Sequence, residues 1–447
     1  MTDRIAEPHI ADPHVTTSLD RRRFLAALLA APAVAALLQA CSDDLDVRST
    51  SSGNAAGAEG GEQRSALARA SADPALAVDA ATAVTAFGTD LYRRLAAERP
   101  TDNLVVSPAS IALALAMASA GAGGATLTEM VGTLRADELD LHTAMNALDA
   151  ELAARQRTDV ELSLANAAWL QSTMSIEQAF LDTLAEQYGA GVRTVDFTTD
   201  AAAAARAING WVSERTNERI PELIPPDLLG ADTRFVLVNA VYLNARWETE
   251  FDPEVTRDAP FTTAAGETVE VPTMAAEREL RYASGDGWQA VELPYVGDEL
   301  AMLLFLPEPG FLTTFEEIFL VTDATQYLEP TLVRVLLPRW DTGSAFALGD
   351  QLGALGMPTA FTLGADFTGI TGDEPLHIGD VIHQANITVG EEGTEAAAAT
   401  AVIGEAGSAP PEDEPVLVVF DRPFVFALRD RVSGAVLFLG RVADPRG

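Results

Sequence analysis

The sequence predicts an α+β fold with mostly antiparallel sheets, on three observations. Helical periodicity dominates from Val78 to Thr216, strand-like runs dominate from Phe235 to Val442, and no second linker follows about residue 75. Hydrophobic residues make up 48% of the 447 while aromatics make up only 6%, so a single large core has to be filled mainly by Ala, Val, Leu and Ile.

Taken in chain order, the first element is an export segment. Arg21, Arg22 and Arg23 precede Phe24 and Leu25, an uncharged Ala/Leu-rich run follows to Leu38, and Leu38-Gln39-Ala40-Cys41 closes it. The run of about 15 apolar residues falls short of the ~20 that span a bilayer. Residues 1–40 therefore read as a lipoprotein-type signal with a twin-arginine-like start, and Cys41 as the lipidated residue of an exported protein. It would be held at the outer face of a prokaryotic membrane or secreted. Ser42 to about Ala72 is rich in Ser, Gly, Ala, Asp and Glu without apolar periodicity, which reads as a flexible tether over 41–74, leaving 75–447 as the folded domain.

Within that domain Val78–Glu98 carries apolar residues at helical spacing. Ser107-Pro108 caps a second helix to about Ala120, since Ser at the cap and Pro at the first helical position is a start signal. Further helices are expected over Thr143–Arg155, Ile176–Tyr188 and Ala201–Thr216. The strands expected are Phe235–Leu243, Ala290–Leu293, Ala301–Leu306, Thr331–Leu337, Val416–Phe420, Phe424–Arg429 and Ala435–Val442. The glycine-rich piece Gly121–Thr126 has no strand before it and no lysine after it, so it reads as a helix-to-helix turn rather than a phosphate cradle. Asn386-Ile387-Thr388 fits a glycosylation sequon but lies in an expected strand and reads as core.

Charge and missing motifs exclude several function classes. The formal net charge of −37 comes from 66 acidic and 29 basic residues, all of the latter arginine, which disfavours nucleic acid as a partner. Codon bias of a GC-rich genome and adaptation to high salt account for this composition equally well. One cysteine rules out an internal disulfide framework and any cysteine-rich metal site; no cofactor and no metal are implied. No His-Glu-x-x-His, Gly-x-Ser-x-Gly or Walker loop is present, so an enzyme is not expected. Outside the signal region the histidines are His142, His377 and His383.

Val389–Ile403 carries conflicting signals. Its Glu-plus-Ala run favours helix, yet at period 2 Thr394, Ala396, Ala398, Thr400 and Val402 share one face, small or β-branched and uncharged. A segment that is loop or helix alone but fits between two strands suits a conformational switch. Glu391-Glu392-Gly393-Thr394-Glu395-Ala396-Ala397-Ala398-Ala399-Thr400 resembles the hinge of inhibitory serpins nearly residue for residue. Other serpin signatures recur in family order across about residues 75–445: Asn103 to Ser110, Val238 to Tyr242 with Trp247 and Phe251 to Pro253, Glu292 to Tyr295, Ala365 to Phe367, and Asp421 to Phe424 with Phe438 to Val442.

The resemblance implies a serpin fold, with about nine helices around three mostly antiparallel sheets and an exposed reactive loop over about 391–415. It implies a monomeric suicide inhibitor that traps a serine protease covalently when the cut loop inserts into the central sheet. Ser107, Ser110, Asn239 and His383 would form a polar cluster where the sheet opens; Trp247, Arg339 and Glu391 would form the loop base. Counting on from Gly393 gives Gly407-Ser408 as the scissile bond, while counting back from Phe420 and Pro423 lands near Glu412; both fall within a window from Glu405 to Asp413. Its small and acidic residues point to an elastase-like or subtilisin-like target, with a Glu-specific protease next. The alternatives are a non-inhibitory serpin with a carrier or surface role and, more remotely, a lipoprotein hydrolase.

Overall fold

The computed structural model describes residues 61–225, 228–318, 321–394 and 414–447. Its framework is two sheets with helices packed on and between them, so α+β holds. Among the described residues nine α-helices have five residues or more, and none is long and apolar enough to cross a membrane. The helix Pro108–Ser119 forms where the sequence places it: the Ser107 hydroxyl caps the Ser110 amide at 3.4 Å and Pro108 opens the first turn. It has no charged side and all twelve of its residues are buried, so it serves as a core rod.

The smaller sheet runs from edge to edge Glu62–Gln63, Val192–Val195, Val160–Gln171, Phe235–Arg246, Gly393–Thr394, Asp380–Val389 and Trp340–Ala347. The larger runs Val416–Val419, Glu329–Pro338, Thr268–Gly285, Trp288–Pro294, Leu300–Pro307, Phe424–Asp430, Val436–Val442 and Leu104–Val106, with Arg257–Thr262 also paired to Thr268–Gly285. The three sheets expected appear as two hydrogen-bonded networks. The reason is the 18-residue strand Thr268–Gly285, which passes unbroken from one partner to the next and joins what would be separate layers.

The strand Phe235–Arg246 divides the core by parity. Phe235, Leu237, Val241, Leu243 and Ala245 enter the main core, which the helices Leu76–Glu98 and Pro108–Ser119 and the larger sheet fill. Val236, Val238 and Ala240 face a second core under the helix Phe197–Arg215. That helix begins four residues earlier than its periodicity predicts because Asp196 accepts from the amides of Thr198 and Thr199, and it kinks at Asp200.

Two expectations change. Strand periodicity misses Val160–Gln171, Thr268–Gly285 and Trp340–Ala347 among the longer strands; the first, in the smaller, central sheet, lies among helices, so helices and strands interleave more than predicted. The first described residues also include part of the stretch read as tether, with Glu62–Gln63 paired on the sheet edge. Gly121–Thr126 is indeed a helix-to-helix turn, with the next helix starting at Gly124. Asn386 and Thr388 lie in a strand but are half-buried, and Ile387 between them is the core residue.

Candidate functional site: the open end of the central sheet

The central sheet is parallel where its middle strands meet. Phe235–Arg246 and Asp380–Val389 pair side by side over six positions, from Val236 opposite Asp380 to Val241 opposite Ala385. Beyond that they part, and Gly393–Thr394 lies between them, antiparallel to both: Gly393 opposite Arg246, Thr394 opposite Ala245 and Val389. Only glycine suits position 393. Its φ is +154°, and a Cβ there would stand 2.1 Å from the Ala245 carbonyl oxygen.

Thr394 is fully buried, and its hydroxyl is 2.6 Å from that of Tyr295. Tyr295 stacks on Trp247, ring centres 4.5 Å apart. Burial drives the Tyr295 phenol well above its usual range, outweighing the opposite pull of the Thr394 hydrogen bond, so it stays neutral. The indole of Trp247 donates to the Gly390 carbonyl at 2.9 Å, while the amides of Trp247 and Phe251 donate to the carbonyls of Glu392 and Glu391, each at 2.9 Å. The loop base is thus bonded through its backbone to the residues that follow the neighbouring strand Phe235–Arg246.

Glu391 completes the base. Its carboxylate accepts from Arg339 Nε at 2.8 Å, from the other arm of that guanidinium, and from the Thr256 hydroxyl at 2.6 Å. Burial works to raise this carboxyl, but these donors outweigh it and hold the group below its ordinary value. A cleft of about 600 Å³ opens beside the pair, lined by Phe251, Trp340, Thr388 and Pro445 among others.

Lower in the sheet the parallel ladder sets Asn239 directly opposite His383. His383 Nε2 accepts from the Ser107 amide at 3.1 Å, so the ring proton sits on Nδ1 and is donated to Asn239 Oδ1. The Asn239 amide nitrogen donates to Ser110 Oγ and Asn166 Oδ1, and Ser110 Oγ donates to the same Asn166 oxygen at 2.7 Å. Ser107, Ser110, Asn239 and His383 are fully buried. Burial pulls His383 down to about 3, only partly countered by its Asn239 hydrogen bond, so the ring is neutral.

The structure therefore brings Ser107, Ser110, Asn239 and His383 into one network and Trp247, Arg339 and Glu391 into another. Sequence reasoning missed Asn166, Tyr295 and Thr256 as site residues. Asn166 left a faint signal, a lone carboxamide inside the otherwise apolar Ala165–Leu170. Glu395 to Thr400, the Gly407-Ser408 bond with its window to Asp413, and Cys41 lie outside the described residues, as do the signal segment and the tether up to residue 60.

The family model described as "Serpin (serine protease inhibitor)" matches residues 82–445. The chain belongs to the serpin family. An uncharacterized serpin-like protein of Thermococcus kodakarensis is 38% identical over 81% of this serpin and 85% of the relative. The leukocyte elastase inhibitor of Bos taurus is 34% identical, covering 81% of this chain and 98% of the inhibitor. Among solved structures, native protease nexin-1 with heparin superposes with a TM-score of 0.74 at 30% identity, over 83% of this serpin and 100% of the other chain. Uncleaved ovalbumin gives a TM-score of 0.74 at 26% identity, over 82% and 100%.

Proposed function

We propose that this serpin is a suicide inhibitor of serine proteases that traps its target covalently through loop insertion. The observation that carries it is the two-residue strand Gly393–Thr394, already seated between two parallel strands and antiparallel to both. Parallel pairing is slightly weaker per residue than antiparallel, so replacing one parallel interface with two antiparallel ones favours insertion. Continuing the register six residues on from Thr394 sets Thr400 between Asn239 and His383, with Ala396, Ala398 and Val402 also toward the main core. Each is small or β-branched, so the slot meets neither bulk nor charge.

The reaction requires the loop to be attacked as a substrate. The protease serine bonds to the carbonyl carbon at the cleaved peptide, the new amine end leaves, and insertion draws the acyl-enzyme away before water reaches the ester. Gly407-Ser408 is the bond proposed, and the small residues around it favour an elastase-like or subtilisin-like target. Similarity to the leukocyte elastase inhibitors is consistent with that class. The hydrolase alternative is weakened by His383, whose two nitrogens are both engaged inside the core.

Incubating the purified chain with elastase-like and subtilisin-like proteases should give an SDS-stable complex, with the cut at Gly407-Ser408 found by mass spectrometry. Complete loop cleavage without complex in any serine-protease class would favour the non-inhibitory role. Lipidation of Cys41 after removal of residues 1–40 belongs to the same proposal; a mature N-terminus upstream of Cys41 would refute that part.

A further inference from the structure

A second device acts on the sheet from its far edge, built from residues that composition assigns to the tether. The Gly61 carbonyl accepts from the Thr194 amide at 2.9 Å and its hydroxyl at 3.1 Å, and Glu62 and Gln63 pair antiparallel with Arg193 and Val192. Glu62 also forms an ion pair with Arg193 at 3.2 Å. The chain then crosses to the helices. Arg64 donates to the Gly189 carbonyl at 2.6 Å, and the Ala70 amide to that of Glu186 at 2.8 Å. Arg69 donates to Asn146 Oδ1 at 2.8 Å and pairs with Asp149 at 2.7 Å, while Asn146 Nδ2 donates to the Ala70 carbonyl at 3.0 Å.

The body is shaped for this segment. Asn146 is only 1% exposed, and its carboxamide is turned to residues 69 and 70. Gly191 leaves room for the crossing: a Cβ there would come 2.6 Å from the Gln63 carbonyl oxygen.

The segment joins two parts that sheet opening must separate. Admitting a strand between Phe235–Arg246 and Asp380–Val389 displaces one half of the sheet, which includes Val192–Val195, by about one strand spacing of ~4.8 Å. Helix Leu141–Ala153, which holds the other end through Asn146 and Asp149, packs on Leu76–Glu98, and that helix packs on Val436–Val442 of the larger sheet. Contacts at both ends cannot persist through such a shift. We propose that residues 61–72 form an intramolecular strap that opposes sheet opening and keeps the uncut chain from inserting its loop spontaneously. This rests on the loop-insertion reading above.

The test uses the full chain in three forms: unaltered, Gly191→Val, and the double variant Glu62→Arg with Arg69→Ala. The last alters only partly exposed side chains and guards against misfolding of the first. Each uncut protein is held at a fixed temperature below its melting point, and samples are taken for melting and for complex formation with one elastase-like protease. Both variants should convert to a more heat-stable, non-inhibitory form at least tenfold faster than the unaltered chain, and all three should reach one melting temperature once nicked. Conversion rates within twofold of each other, with nicking still stabilising all three, would remove the strap and leave insertion standing. Nicking that stabilises none of them would overturn insertion itself, and the strap with it.

Discussion

His383 ties the folded state to one protonation form of its ring. Its Nε2 must stay unprotonated to accept from the Ser107 amide, and burial holds its pKa at about 3 against an ordinary 6.5. The unfolded chain binds a proton there and the folded chain does not, so stability contributed above pH 6.5 is lost progressively as pH falls from 6.5 toward 3. The slope is about 1.4 kcal/mol per pH unit, giving a loss of about 2 kcal/mol between pH 7 and 5 from this site. Urea unfolding at the two pH values should show it, and a His383→Gln variant should lack it. An NMR titration placing His383 near its ordinary value would contradict this account. Glu391 behaves as a depressed carboxylate: its pair with Arg339 stabilises the loop base above the usual carboxylate range and is lost as pH falls through the lowered value. Because Arg339 is 46% exposed, screening limits the pair to about 0.5–1 kcal/mol. Glu391→Gln should lower the melting temperature slightly at pH 7, with the difference vanishing in acid.

The hinge strand is the element on which the proposed inhibition turns. Thr394 is already in the sheet and bonded to Tyr295, so a charge at 394 would disturb the uncut form itself. A cleaner probe lies further along, where continuation of the register puts residue 398 between Val241 and Ala385, both core-facing. Ala398→Arg should leave expression and melting of the uncut protein unchanged while abolishing covalent complex, because the guanidinium would have to enter the core unpaired. Unchanged complex yield in that variant would contradict entry of the loop in this register. The hinge's small-residue face was readable from period 2 alone. Of its two partners, Phe235–Arg246 was readable as an apolar run, whereas Asp380–Val389 was legible only around Asn386 to Thr388, because Val381, Ile382 and His383 are buried in succession and break the alternation near its start.

At the scale of the whole molecule, the proposed loop insertion requires the uncut form to be metastable. Inserting about ten residues would add ladder hydrogen bonds at ~1 kcal/mol net each, large against ordinary stabilities of ~5 to 15 kcal/mol. Nicking between Glu405 and Asp413 should therefore raise the melting temperature by on the order of 15 °C. Scanning calorimetry before and after the cut decides it, and an unchanged melting point would dismiss a trapped native state.

By itself the sequence determined the fold class, the capped helix at Ser107-Pro108, and the small, uncharged face of the hinge from Thr394 to Val402. The last two depend on spacing within a single segment and the first on the order of such segments, both of which a linear chain displays. Tertiary structure alone decided that the two strands flanking the hinge are parallel and parted at one end, that Asn166 joins the His383 network, and that residues 61–72 are bound instead of free. Those features arise from pairings between segments tens to hundreds of residues apart, and their hydrogen bonds are set by backbone register, which residue type alone does not encode.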